Sequence, residues 1–146
     1  MKVEDYMLPH PLTVLRNETV KRIEQLIHEH GIQQLPVVDN ANRLVGIVTD
    51  RDVRSAGNHG EPDEFPLVAA DIMTRDVIST YPGAELSEVV DELFHHGFGA
   101  LPVVIGDQVV GMIGTHELLG CLKNMLEDDD VKVAARSLAT YAEDIL

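Results

Sequence analysis

Residues 17–39, NETVKRIEQLIHEHGIQQLPVVD, recur without a gap as GAELSEVVDELFHHGFGALPVVI at residues 83–105. Leu35–Val38 and Leu101–Val104 are the same tetrapeptide, and His30-Gly31 returns as His96-Gly97. The likeness extends both ways. VEDYMLPHPLTV at 3–14 aligns with AADIMTRDVIST at 69–80, and GIVTDRDV at 46–53 aligns with GMIGTHEL at 111–118. Two copies make a duplicated unit rather than a solenoid, which needs more repeats to bury its faces.

Both copies read alike. Val20, Ile23, Leu26 and Ile27 fall at helical spacing, as do Leu86, Val89, Val90, Leu93 and Phe94. Asn17 is the expected N-cap of the first helix, and Glu18 suits its positive end. Gly31 and Gly97 supply the left-handed stop. Two short apolar strands follow, QLPVVD and RLVGIVT, joined by the turn NANR. Pro36 is expected at the first position of its strand, where no ladder donor is lost. A short helix then starts near Asp50, its expected N-cap. Each unit is therefore β-α-β-β-α behind a leading extended piece around PLTV or VIST, and the fold class is mixed α+β. The expected division is 1–57 for the first unit, 58–68 for a linker, 69–123 for the second unit and 124–146 for a helical tail. In that tail Val131, Ala135, Leu138, Ala142 and Ile145 share one face, to be packed on its own domain or on a second subunit.

The composition is globular, 45% hydrophobic and 25% charged, and 146 residues suffice for one ordinary core or two small ones. No run approaches eighteen apolar residues, so no membrane span is expected. The opening MKVEDYMLPHP lacks the basic and apolar character of a leader. A lone Cys121 cannot pair internally and is expected to be a buried hydrophobe near a helix end, in a cytoplasmic protein. A net charge of −14 opposes nucleic-acid binding, which needs basic groups along the phosphates. Any anionic ligand must also bind against this field.

The strand–helix junctions carry the chemistry. A helix start offers unpaired N–H groups and a partial positive charge, so a phosphate there would meet those donors and the Thr49 hydroxyl. The Asp52 carboxylate only accepts, which suits the hydroxyls of a ribose. Gly46, with no side chain, lets a ligand or a neighbouring backbone come close. The same Thr-x-x-Asp spacing is also a capping box, in which each side chain satisfies the other residue's N–H. The second copy has Gly114 and Glu117 at these positions. Arg51 and Arg54, the basic residues nearest the first junction, read as solvent-exposed. Seven histidines lack chelating spacing and Cys121 stands alone, so no metal site is expected. Asp50 and Asp52 have no candidate nucleophile beside them, so no catalytic residue and no enzyme activity are expected. Met7 and Met73 recur at one repeat position and read as core.

With DYM and DIM leading the units, PLTV before the first helix, HGIQQLPVVD and HGFGALPVV, and GIVTDRD, residues 1–123 resemble a tandem pair of cystathionine-β-synthase (CBS) domains. The resemblance implies two units packed through their sheets around a pseudo-twofold axis, with two clefts. It implies a regulatory module that binds an adenosine-containing ligand: AMP, ADP, ATP or S-adenosylmethionine. No cofactor is required beyond that ligand. Thr13, Val14, Ile32, Gln34 and Pro36 would surround the adenine, with Gly46, Thr49 and Asp52 at the ribose and phosphate. In the second cleft, Ser79, Phe98 and Ala100 would lie around a base, with Thr115 or His116 as a displaced polar contact and Glu117 in the place of Asp52. Gly114 has no hydroxyl and Glu117 is one methylene longer, so that site is expected to be weaker. One lost hydrogen bond to a charged group costs about 1.5–3 kcal/mol. A homodimer and a separate, unknown effector protein complete the expectation; the alternative is a ligand-free dimerisation or interaction module.

Overall fold

The computed structural model describes residues 1–57, 66–128 and 136–137. Most of the expected linker and of the expected tail, including Val131, Ala135, Leu138, Ala142 and Ile145, lies outside the described residues. The first copy runs α1 (Val3–Tyr6), β1 (Leu8–Pro9), β2 (Val14–Leu15), α2 (Val20–His30), β3 (Gln34–Val38), β4 (Leu44–Thr49) and α3 (Asp50–Ala56). The second runs α4 (Ala69–Ile72), α5 (Leu86–His96), β5 (Ala100–Ile105), β6 (Gln108–Gly114) and α6 (Thr115–Glu127). Mixed helix and strand in two small sheets give the α+β class. Each copy gains a one-turn helix, α1 or α4, ahead of its extended piece.

The two sheets have the same plan. In the first, β2 lies parallel to β3, and β3 pairs antiparallel with β4. In the second, Thr80 bridges parallel to Val103 on β5, and β5 pairs antiparallel with β6. The outer edge of each hairpin is then covered by the other copy. β1 pairs with β6 through Leu8–Met112 and Pro9–Gly111, and Thr74 bridges Ile47 on β4. The leading segments are thus exchanged. Val3 is fully buried in the second copy's core beside Ala84, Leu86 and Val89, while Ala69 and Met73 are buried in the first copy's core. Ile23, Leu35, Val37 and Val48 centre one core, and Leu101, Val103 and Ile113 the other. Each such side chain contributes about 1.5–3 kcal/mol through burial.

This exchange explains the strand glycines. A Cβ on Gly46 would lie 2.5 Å from Met73 Sδ and 3.0 Å from the Thr74 carbonyl oxygen. One on Gly111 would lie 2.8 Å from Met7 Sδ and 2.9 Å from the Leu8 carbonyl oxygen. Each glycine therefore admits the methionine and backbone of the other copy's leading segment.

Several local expectations are corrected. Thr19, not Asn17, caps α2, its hydroxyl oxygen accepting from Arg22 N–H at 3.2 Å. Thr49, not Asp50, caps α3. Pro36 is the third residue of β3, not the first. Its strand partner Ile47 donates to and accepts from Thr74, at 3.0 and 2.9 Å, so the Pro36–Ile47 position carries no bond between β3 and β4 and the proline costs that ladder nothing. Cys121 is buried, but in the middle of α6. In α5 only Leu86, Val89 and Leu93 of the apolar stripe are buried; Val90 is 46% exposed and Phe94 90%.

Candidate functional site

At the first junction both halves of the capping box form. Thr49 N–H donates to Asp52 Oδ2 at 2.9 Å, and Asp52 N–H donates to Thr49 Oγ1 at 3.0 Å. Both side chains are half-buried, and one oxygen of each is engaged with main chain. Arg51 is exposed, and Arg54 pairs with Asp50 at 3.3 Å on the surface, a contact of little energetic weight. At the second junction Gly114 N–H donates to Glu117 Oε1 at 3.0 Å, so the longer acid reaches the same main-chain donor as Asp52. The reciprocal bond has no counterpart, because no side chain of Gly114 exists to accept it. A Cβ at residue 114 would run into the Gly99 carbonyl oxygen and would lie 2.6 Å from Ala100 Cβ. The loss of the hydroxyl at this position is thus a packing consequence of how closely β5 approaches β6.

A cleft of about 640 Å³ opens between the two copies beside the second junction. Its floor and walls include Ile32 and Gln34 of the first copy, and Ala100, Thr115, His116 and Glu117 of the second. Leu8, Pro11 and Leu12 close one side, with Met112 and Leu119 adding apolar surface and His30, Gln33 and Gly99 further edge. The structure thus brings together members of both predicted sets. The other predicted residues lie elsewhere. Thr49 and Asp52 do not line this cleft, and Thr13 is half-buried away from it. Val14 and Pro36 are buried in the first copy, and Gly46 is covered by Met73. Ser79 lines a recess of about 190 Å³ near the hairpin ends, with Leu44, Arg75 and Asp107. Phe98 stacks on the His96 ring at a centroid distance of 5.2 Å and faces a different groove.

The residues missed by the sequence reading, Leu8, Pro11 and Leu12, reach the cleft because β1 crosses to β6. A signal for that crossing was present: a methionine in each leading segment and a strand glycine in the opposite hairpin, both repeated. Among the described residues no group of three or more His, Cys, Asp or Glu could hold a metal ion, and no helix is long and apolar enough to cross a membrane.

A second groove, about 570 Å³, runs between α5 and α6 and is lined by Val90, Phe94, Phe98, Leu119, Leu122 and Met125 among others. None of the described residues lining it has a charged side chain.

The CBS domain profile matches residues 3–59 and again 68–124, and the chain belongs to the CBS domain family. It is 32% identical over 113 residues to an inosine-5'-monophosphate dehydrogenase of Nitrosopumilus maritimus, a stretch that is 77% of this chain and 22% of the dehydrogenase. The chain spans between about a fifth and a half of the length of the first curated relatives that it matches. Among solved structures it resembles a Vibrio cholerae protein named for acetoin utilization (AcuB), with TM-score 0.79 and 35% identity over 87% of this chain and 93% of that one. It also resembles the CBS domain pair of protein MJ0100 in complex with 5'-methylthioadenosine and S-adenosyl-L-methionine, with TM-score 0.75 and 25% identity over 85% of this chain and 97% of that one. The fold is that of a tandem CBS pair, and pairs of this family are generally regulatory modules.

Proposed function

We propose that this chain is a regulatory module that binds an adenosine-containing ligand in the cleft between its two copies and changes conformation or dimer geometry in response. The observation that carries the reading is the cleft itself. Its volume of about 640 Å³ falls in the range of small-molecule sites, and it is mostly apolar with a few converging polar groups. Ile32, Ala100 and Leu12 offer surfaces for a base, and Gln34, His116 and Glu117 offer hydrogen bonds to a base or a ribose. The likeness to a CBS pair that holds two adenosine compounds supports the same reading. Thr13, Val14, Pro36, Gly46, Thr49 and Asp52 are proposed for a related first-copy site, while Ser79 and Phe98 are not carried over to the cleft beside the second junction. The ligand shifts the module only by its difference in affinity for two states. A homodimer is supported by the apolar groove between α5 and α6, whose described lining side chains carry no charge that association would desolvate. The regulated effector is a separate protein or a further part of a longer chain.

A second reading is favoured by one observation. Thr49 and Asp52 are turned onto main-chain amides, as a purely structural cap requires. On that reading the chain is a ligand-free dimerisation module. Calorimetric titration of the protein with AMP, ADP, ATP and S-adenosylmethionine separates the two. The sensor gives saturable binding weakened by Gln34→Ala and Glu117→Ala; absence of binding by all four leaves the scaffold.

A further inference from the structure

Resting on the adenosine-binding reading of the cleft, we infer that this cleft takes a nucleoside whose 5' substituent is an uncharged or cationic S-alkyl group, and disfavours 5'-phosphates. Among the described residues that line it there is no lysine or arginine. Its single formal charge is the Glu117 carboxylate, half-buried at the start of α6. Two donors at the α6 N-terminus, the feature that would otherwise welcome a phosphate, are already taken, one of them by an anion. Gly114 N–H donates to Glu117 Oε1 at 3.0 Å, and Thr115 N–H donates to the Gly99 carbonyl oxygen at 3.0 Å. The Glu117 N–H receives no side-chain cap and can serve a neutral ribose oxygen. A phosphate dianion in that position would lie against the Glu117 carboxylate and in the field of a chain of net charge −14.

The walls point the same way. Leu8, Leu12, Met112 and Leu119 contribute aliphatic and thioether surface to the same cleft as that acid. A methylthio group fits such walls without desolvating a charge. A sulfonium keeps the same alkyl surface and adds a positive charge opposite Glu117.

The test is calorimetry on the full chain with 5'-methylthioadenosine, S-adenosylmethionine, AMP and ATP at matched ionic strength. Methylthioadenosine and S-adenosylmethionine are expected to bind at least about tenfold more tightly than AMP, with ATP weaker still. If S-adenosylmethionine exceeds methylthioadenosine, the cationic arm holds; the reverse order assigns the neutral thioether. Glu117→Gln should narrow the gap between AMP and methylthioadenosine several-fold, and so should Leu12→Lys, at a site 39% exposed where a cation is tolerated by the fold. AMP or ATP binding as tightly as methylthioadenosine overturns the inference and leaves adenosine binding intact. A ratio unmoved by both substitutions places the ligand outside this cleft and also overturns it. No binding by any of the four removes the adenosine reading itself.

Discussion

The two copies share a backbone plan and differ in what they leave open. The first ends β4 in a threonine and closes its helix start with two reciprocal bonds; the second ends β6 in a glycine and closes it with one. On the outer helical face the contrast reverses. α2 carries Glu24 and His28 where α5 carries Val90 and Phe94, and α3 has Arg54 where α6 has Leu119. Duplication supplied one scaffold twice. One copy then keeps a satisfied junction and a polar exterior, while the other keeps an open cleft and an uncovered apolar face.

Exchanging the junction residues is the harshest probe of that contrast. Gly114→Thr is expected to destabilise the fold by about 3 kcal/mol, because the new Cβ meets the Gly99 backbone rather than a movable side chain. Thr49→Gly should cost only about 0.5 kcal/mol, the loss of a cap oxygen. Urea unfolding of the two variants measures the difference. Equal losses would mean that the copies differ by ligand chemistry rather than by packing.

The helical faces give the next largest effect. Phe94→Glu is expected to weaken self-association by at least about thirtyfold, the effect of a ~2 kcal/mol hot spot. His28→Glu, at the matching position of the first copy, should leave association within about twofold. Sedimentation equilibrium reads both. A wild-type chain that stays monomeric across the concentration range ends the homodimer reading.

The smallest effect separates the two exchanged leading segments by pH. Lys2 Nζ lies 2.6 Å from Glu85 Oε1, and this hydrogen bond, then the charge attraction, holds the Glu85 carboxyl below its ordinary range and the Lys2 ammonium above its own. The corresponding pair in the other segment, Val68 and Thr19, carries no charge. Glu85 therefore adds stability above the unfolded carboxylate range and loses it as the pH falls through its lowered value; Lys2 adds stability that is lost only above the ordinary lysine range. Amide protection at Val3 and Glu4, which donate to the Ala84 and Pro82 carbonyl oxygens at 2.9 Å, should fall in acid. Protection at Ala69, which donates to the Glu18 carbonyl oxygen at 2.8 Å, should change less. Parallel loss at both segments would show that the Lys2–Glu85 pair contributes nothing.

What the sequence made legible was the local part. The helical spacing of Val20 to Ile27, the stops at Gly31 and Gly97 and the two hairpins all depend on neighbours in the chain. The exchange of leading segments depends on contacts distant in the chain, such as Pro9 with Gly111 and Ile47 with Thr74, which no periodicity encodes. Ile32, Gln34, Ala100, His116 and Glu117, expected from the family resemblance, line the cleft, whereas Leu12 reaches it only through the crossing of β1 and was not among them. Thr49 and Asp52 stayed ambiguous because a capping box and a ribose-phosphate grip need the same two side chains at the same spacing.

Residues 8–15 hold one further consequence. β1 is fastened to the second sheet and β2 to the first, and Pro11 and Leu12 pass between them along the cleft wall. A guest molecule pressing on that wall pushes on a short strap tied at both ends. A displacement of that strap would be passed to one sheet or the other.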